Sequence, residues 1–145
     1  MSFRMMPHRK SKMENDLSKN LISSLAFNLA NKGYIIKTKH LNNSTKNSFN
    51  YNGYVPALFA IKNGRKVIVE IESCKNIKLR KNEVKLRRFG FSEDVDFFIF
   101  APEKCVDIWR YQVKTLDISA EIFSLNDFNI LSSDSSNYFF KKIIQ

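Results

Sequence analysis

The sequence has few of the residues on which several common types of site depend. Its four glycines do not form a glycine-rich phosphate-binding loop, and its two histidines and two cysteines lack the spacing of a zinc site. No set of Ser, His and Asp can be chosen without arbitrary decisions. Phosphate loops, zinc centres and serine-hydrolase chemistry are therefore not supported.

Long apolar runs are also absent. No stretch of about eighteen apolar residues is present, so we expect no membrane span, and no apolar segment typical of a signal peptide follows the basic N-terminus. We therefore expect an intracellular protein, either cytoplasmic or associated with the nucleoid. Cys74 and Cys105 are far apart in the chain, and we interpret both as buried thiols in preference to a disulfide.

What the sequence does contain favours a folded globule with an uneven charge. Its 145 residues are 43% hydrophobic and include thirteen phenylalanines, which suits a single domain over residues 1–145. Residues 1–88 contain nineteen Lys and Arg and five Asp and Glu. Residues 89–145 contain five Lys and Arg and nine Asp and Glu. A strongly cationic half is typical of nucleic-acid binding, although a lysine-rich solvated surface is the simpler alternative.

Hydrophobic periodicity predicts alternating helices and strands. Residues 11–33 begin with a capping box and continue as an amphipathic helix, and residues 34–40 alternate as a half-buried strand does. Further strands are predicted at 54–61, 66–74, 96–101 and 120–125, and further helices at 78–89 and 102–113. The order α-β-β-β-α-β-α-β predicts an α/β fold with helices on a mixed central sheet.

Two acids stand out in the second strand of a predicted β-hairpin. Asn63 and Gly64 separate two apolar runs, which is the strongest short-range hairpin signal. Glu70 and Glu72 follow in the second run, and the period of two places both on one face of the sheet.

With Pro56 opening the first run and Val69-Glu70-Ile71-Glu72-Ser73 in the second, the chain resembles the PD-(D/E)xK nuclease superfamily. It is most similar to the archaeal Holliday junction resolvases, over about a third of the chain. The resemblance implies a restriction-endonuclease-like core and Mg²⁺-dependent cleavage of DNA, branched DNA in particular. Symmetric junctions would also require a homodimer, for which the apolar tail 137–145 is a candidate contact.

The resemblance also implies a set of catalytic positions, and the chain departs from it at several of them. Ala57 stands where the family has a metal-binding Asp, and Glu72 where it has the catalytic Lys, while Glu70 matches the second metal carboxylate. Glu14 is the nearest acid on the first helix, about two turns too early for the family position, and a capping role explains it equally well. The implied Mg²⁺ ligands are Glu70 and Glu72.

Candidate nucleic-acid contacts are the cations of the cationic half. They comprise a basic arm over residues 1–12, one strand, the polar loop 42–52 and the helix after the hairpin. By the resemblance, Lys85 or Lys75 can replace the catalytic lysine, but a phosphate contact is the more economical role. The candidates are Arg9, Lys10, Lys12, Lys37, Lys39, Lys46, Lys75, Lys78, Lys81 and Lys85.

Three interpretations of function stay open on the sequence. In the first, Ala57 replaces a native Asp and the natural protein is a metal-dependent endonuclease of the resolvase type. In the second, the site has decayed and the chain is a DNA-binding protein that kept the fold and the basic face. In the third, the chain is a protein-interaction domain whose Glu70 and Glu72 pair with lysines.

Overall fold

The structure, a computed structural model, describes residues 11–38 and 50–126, with side chains described from residue 16 onward. Two 3₁₀ helices, Cys74–Lys78 and Glu103–Cys105, precede the second and third α-helices. No helix in these ranges is both long and apolar enough to cross a membrane. The elements are α1 (Ser11–Asn31), β1 (Ile35–Thr38), β2 (Leu58–Lys62), β3 (Arg65–Ile71), α2 (Arg80–Phe89), β4 (Val95–Ala101), α3 (Val106–Thr115) and β5 (Glu121–Ser124).

The five strands form one mixed sheet in the order β1-β2-β3-β4-β5. β1 and β3 each pair antiparallel with β2, whereas β4 pairs parallel with β3 and with β5. The hairpin between β2 and β3 turns at Asn63 and Gly64, whose φ angles of 52° and 82° suit a tight two-residue turn. The predicted α/β class, the element order and the mixed sheet are confirmed.

Alternate residues of β3 pack on opposite sides of the sheet. Val67 and Val69 belong to an apolar cluster with the leucines of α1, whereas Ile68 belongs to a cluster with Leu86 of α2 and Trp109 of α3. The sheet therefore separates α1 from α2 and α3. Because the side-chain period in a strand is two, Glu70 faces the same side as α2 and α3.

The observed boundaries differ from the predicted ones in the helix after the hairpin. This helix begins at Arg80 because residues 74–78 form a 3₁₀ helix instead. Leu79, which would lie on the apolar side of a helix over 78–89, precedes α2 and is 43% exposed, whereas Asn82 is buried in α2. Residues 1–10 of the expected basic arm, most of the loop 42–52 and the tail 137–145 lie outside the described residues, while residues 11 and 12 belong to α1.

The two cysteines are paired, so the prediction of free thiols was wrong. Cys74 and Cys105 form a disulfide, with their Cα atoms 5.8 Å apart. The prediction considered only their separation along the chain. Parallel pairing of β3 with β4 brings the carboxyl ends of both strands to one edge of the sheet, and each cysteine follows a few residues later.

Candidate functional site

Two buried glutamates share one lysine at the edge of the sheet where β3 ends. Glu70 lies in β3 and Glu72 directly follows it, and they are 4% and 1% exposed. The Nζ atom of Lys85, on α2, is 2.8 Å from Glu70 Oε2 and 2.9 Å from Glu72 Oε2. One ammonium group therefore bridges both carboxylates.

The other two carboxylate oxygens also accept hydrogen bonds from the protein. The backbone N–H of Ala57 donates to Glu70 Oε1 at 2.7 Å. The side-chain amides of Asn76 and Asn82 donate to Glu72 Oε1 at 3.1 and 3.0 Å. All four oxygens thus have donors, which makes the burial of two acids tolerable.

The protonation of the site follows from its burial and from the charges it contains. Burial raises the pKa of Glu70 above its ordinary value, although the nearby ammonium of Lys85 opposes this shift. Burial by itself would lower the pKa of Lys85, but the charges of Glu70 and Glu72 outweigh it, so this pKa is raised. Lys85 therefore stays charged at neutral pH.

The described residues do not fit a magnesium ion. Mg²⁺ requires near-octahedral oxygen ligands at about 2.0–2.1 Å, and here a lysine ammonium takes one oxygen of each glutamate. Ala57 brings a backbone N–H to Glu70 and has no ligand atom in its side chain. Within the described ranges, no three His, Cys, Asp or Glu side chains are grouped as a metal site would require.

Exposed cations lie beside this site. Asn76, Asn82 and Lys85 reach Glu72 from the 3₁₀ helix Cys74–Lys78 and from α2. Residues 75–81 carry four exposed cations, and none of them forms an ion pair with another described residue. We call this group the basic surface, and it consists of Lys75, Lys78, Arg80 and Lys81.

The structure brings together part of the predicted site. Glu70, Glu72 and the backbone N–H of Ala57 lie together, on the same side of the sheet as α2. Lys85, predicted as a phosphate contact, instead turns inward to form ion pairs. Lys37 is exposed on β1, which β2 separates from β3, so it lies apart from this group.

The other predicted residues are not located by the structure. Glu14 and Lys12 belong to α1, but their side chains are outside the described part of the chain. The remaining candidates, Arg9, Lys10, Lys39 and Lys46, lie outside the described residues altogether.

Two asparagines of the site were missed on the sequence. Asn82 lies three residues before Lys85, so both occupy the same face of α2, and this spacing was the available signal. Asn76 had no such signal, because the sequence did not indicate a 3₁₀ helix after β3. The role of Ala57 resides in its backbone N–H, which any non-proline residue would offer.

Comparisons with models of known families, with curated proteins and with solved structures find no match for this chain. What the chain does must therefore be inferred from its own residues and contacts.

Proposed function

We propose that the chain is a nucleic-acid-binding domain that holds a phosphate backbone on the basic surface without cleaving it at Glu70 and Glu72. The observation that carries the proposal is a set of four exposed cations within residues 75–81 that have no acid partner among the described residues. Such cations bind phosphates and release counterions from the nucleic acid. DNA, including branched DNA, is the favoured partner.

The element order gives this proposal further support. The order α-β-β-β-α-β-α-β with a mixed sheet is the one expected for a restriction-endonuclease-like core. A fold of this kind is compatible with a nucleic-acid partner, but a fold does not specify a function. The choice of partner therefore rests on the basic surface.

The ion pairs argue against metal-dependent hydrolysis by this chain. Metal-dependent hydrolysis of a phosphodiester requires a bound metal ion that activates water and stabilises developing charge. Lys85 is engaged by both glutamates, and every carboxylate oxygen of the pair already accepts a hydrogen bond. We therefore favour a decayed site over an active endonuclease of the resolvase type.

A protein-interaction module also accounts for the pairing of the acids with a lysine. Lys85 alone serves both Glu70 and Glu72, however, so the pairing requires no other cation. Within α2, Glu83 pairs with Arg87 at 3.1 Å and does not neutralise the basic surface. A protein-interaction module gives no reason for the charge of the basic surface, whereas binding to a phosphate backbone does.

Neutralising the basic surface is expected to weaken binding by about ten- to a hundredfold and to lower the salt slope of log K by about 3. The variant is Lys75→Gln/Lys78→Gln/Lys81→Gln, which removes three of the proposed phosphate contacts. Binding to labelled duplex and four-way junction DNA is measured by fluorescence anisotropy at several salt concentrations.

The matched control is Lys19→Gln/Lys32→Gln/Lys114→Gln, which removes the same charge from exposed lysines outside the basic surface. It should retain most of the affinity. Equal losses in both variants would show that only net charge matters, and no binding by the wild type at low salt would reject the proposal.

Four-way junction DNA is expected to stay intact when the protein is added with Mg²⁺ or Mn²⁺. The physical reason is that Lys85 occupies the space between the two carboxylates, as described above. Cleavage is followed on a denaturing gel, with Glu70→Gln as the control for a contaminating nuclease. Cleavage by the wild type that Glu70→Gln abolishes would overturn the proposed absence of hydrolysis.

A further inference from the structure

The disulfide joins the two connections that leave the same edge of the sheet. The N–H of Glu72 donates to the carbonyl of Phe100 at 2.9 Å, so β3 and β4 stay aligned up to this edge. Cys74 opens the 3₁₀ helix Cys74–Lys78, and Cys105 directly precedes α3. The bond therefore ties the 3₁₀ helix to the start of α3.

The tied segment carries part of the basic surface and one donor to the buried acids. Lys75 and Lys78 lie within the 3₁₀ helix, and Asn76 between them donates to Glu72 Oε1. The disulfide, by restraining this segment, therefore also restrains Lys75 and Lys78, two of the proposed phosphate contacts.

Besides the disulfide, the Asn76–Glu72 hydrogen bond and the packing of Ile77 on the core, only neutral hydrogen bonds hold this segment among the described residues. None of the residues of the 3₁₀ helix is fully buried. From α3, Trp109 Nε1 donates to the carbonyl of Ser73 at 3.2 Å, and Gln112 Nε2 donates to the carbonyl of Ile77 at 3.1 Å. Neutral hydrogen bonds of this kind add only modestly to net stability. The disulfide is thus the strongest link between the segment and α3.

The two cysteines differ in exposure. Cys74 is partly exposed, whereas Cys105 is 2% exposed. A thiolate of a dithiol reductant would attack Sγ of Cys74, and Sγ of Cys105 would leave as a thiolate and take up a proton. The second thiol of the reductant then closes its own disulfide and releases Cys74 as a thiol, so two electrons and two protons pass to the protein.

We propose that the Cys74–Cys105 disulfide is a redox-modification site that controls the affinity of the basic surface for a phosphate backbone. This inference rests on the proposed function. In the oxidised form, Lys75 and Lys78 are held ready for binding. In the dithiol form, the 3₁₀ helix is released, and binding must first order it again, which costs conformational entropy.

The test compares oxidised and dithiothreitol-reduced wild-type protein bound to the same labelled duplex at fixed salt. The reduced form should bind about five- to tenfold more weakly, provided that circular dichroism shows it to be folded. Cys74→Ser/Cys105→Ser should bind like the reduced wild type and show no response to reductant. Lys75→Gln/Lys78→Gln should bind weakly in both redox states, because the cations that the bond positions are absent.

Hydrogen exchange of residues 73–79 separates this inference from the proposed function. Faster exchange in the reduced protein supports redox control of the segment, and unchanged exchange overturns it, whatever the binding result. Equal binding by the oxidised and reduced forms overturns the redox inference and leaves the proposed function intact. Absence of binding in both forms rejects the proposed function, and with it the control of affinity.

Discussion

Replacing Lys85 with methionine is expected to lower the free energy of unfolding at pH 7 by about 3–5 kcal/mol. Methionine keeps an unbranched apolar stem but leaves Glu70 and Glu72, 4% and 1% exposed, without the ammonium that bridges them. Two buried carboxylates without a counter-charge are much less stable than the same acids in an ion pair. Urea unfolding of wild type and variant measures the difference.

The loss should shrink as the pH is lowered toward about 5. Burial already raises the pKa of Glu70, and removing Lys85 takes away the charge that opposes this shift. A carboxyl whose pKa is higher in the folded than in the unfolded chain favours folding at low pH. That contribution is lost as the pH rises through the folded value, so the variant should be closest to the wild type in acid.

A matched triple variant tests whether charge causes the loss. Glu70→Gln and Glu72→Gln, added to Lys85→Met, remove the uncompensated charge and keep oxygen acceptors for Ala57 and the asparagines. Replacing a buried ionic group by neutral residues of similar size is often neutral or stabilising. The triple variant should therefore regain most of the lost stability at pH 7. A Lys85→Met protein as stable as the wild type at pH 7 would contradict the ion pairs.

That the two acids lie on one face of the sheet was predictable, because it depends only on the hairpin turn and on the side-chain period of a strand. The Asn63 and Gly64 turn sets the hairpin, and the period of two along β3 puts Glu70 and Glu72 on one face. The sequence also predicted a helix directly after this strand, but not the side of the sheet on which that helix packs.

The partner of the acids was harder to predict because it depends on the rotation of α2 about its own axis. In a helix over 78–89, the three- and four-residue steps between Lys78, Lys81 and Lys85 would place them on one basic face. The structure separates them, with Lys85 turned to the acids and the other two exposed. Burial of Asn82, which donates to Glu72, reflects the same rotation, whereas Lys78 and Leu79 precede α2.

Opening the Cys74–Cys105 disulfide is expected to lower the free energy of unfolding by about 3–4 kcal/mol. The two cysteines are 31 residues apart, and the loop between them contains α2 and β4. A cross-link of this span restricts the unfolded chain, and its removal returns that conformational entropy to the unfolded state. Urea unfolding of the oxidised protein, the reduced protein and Cys74→Ser/Cys105→Ser measures the effect.

The source of this loss distinguishes it from the loss caused by Lys85→Met. An effect on the unfolded chain should not depend on the charge of Glu70, and the folded far-ultraviolet circular dichroism should change by no more than the release of the five-residue 3₁₀ helix causes. The loss on reduction should therefore be similar in the wild type and in the Lys85→Met/Glu70→Gln/Glu72→Gln background. Thiol titration of unreduced, denatured protein should find no free cysteine. Two titratable thiols, with equal urea midpoints before and after reduction, would show that the pair does not form in solution.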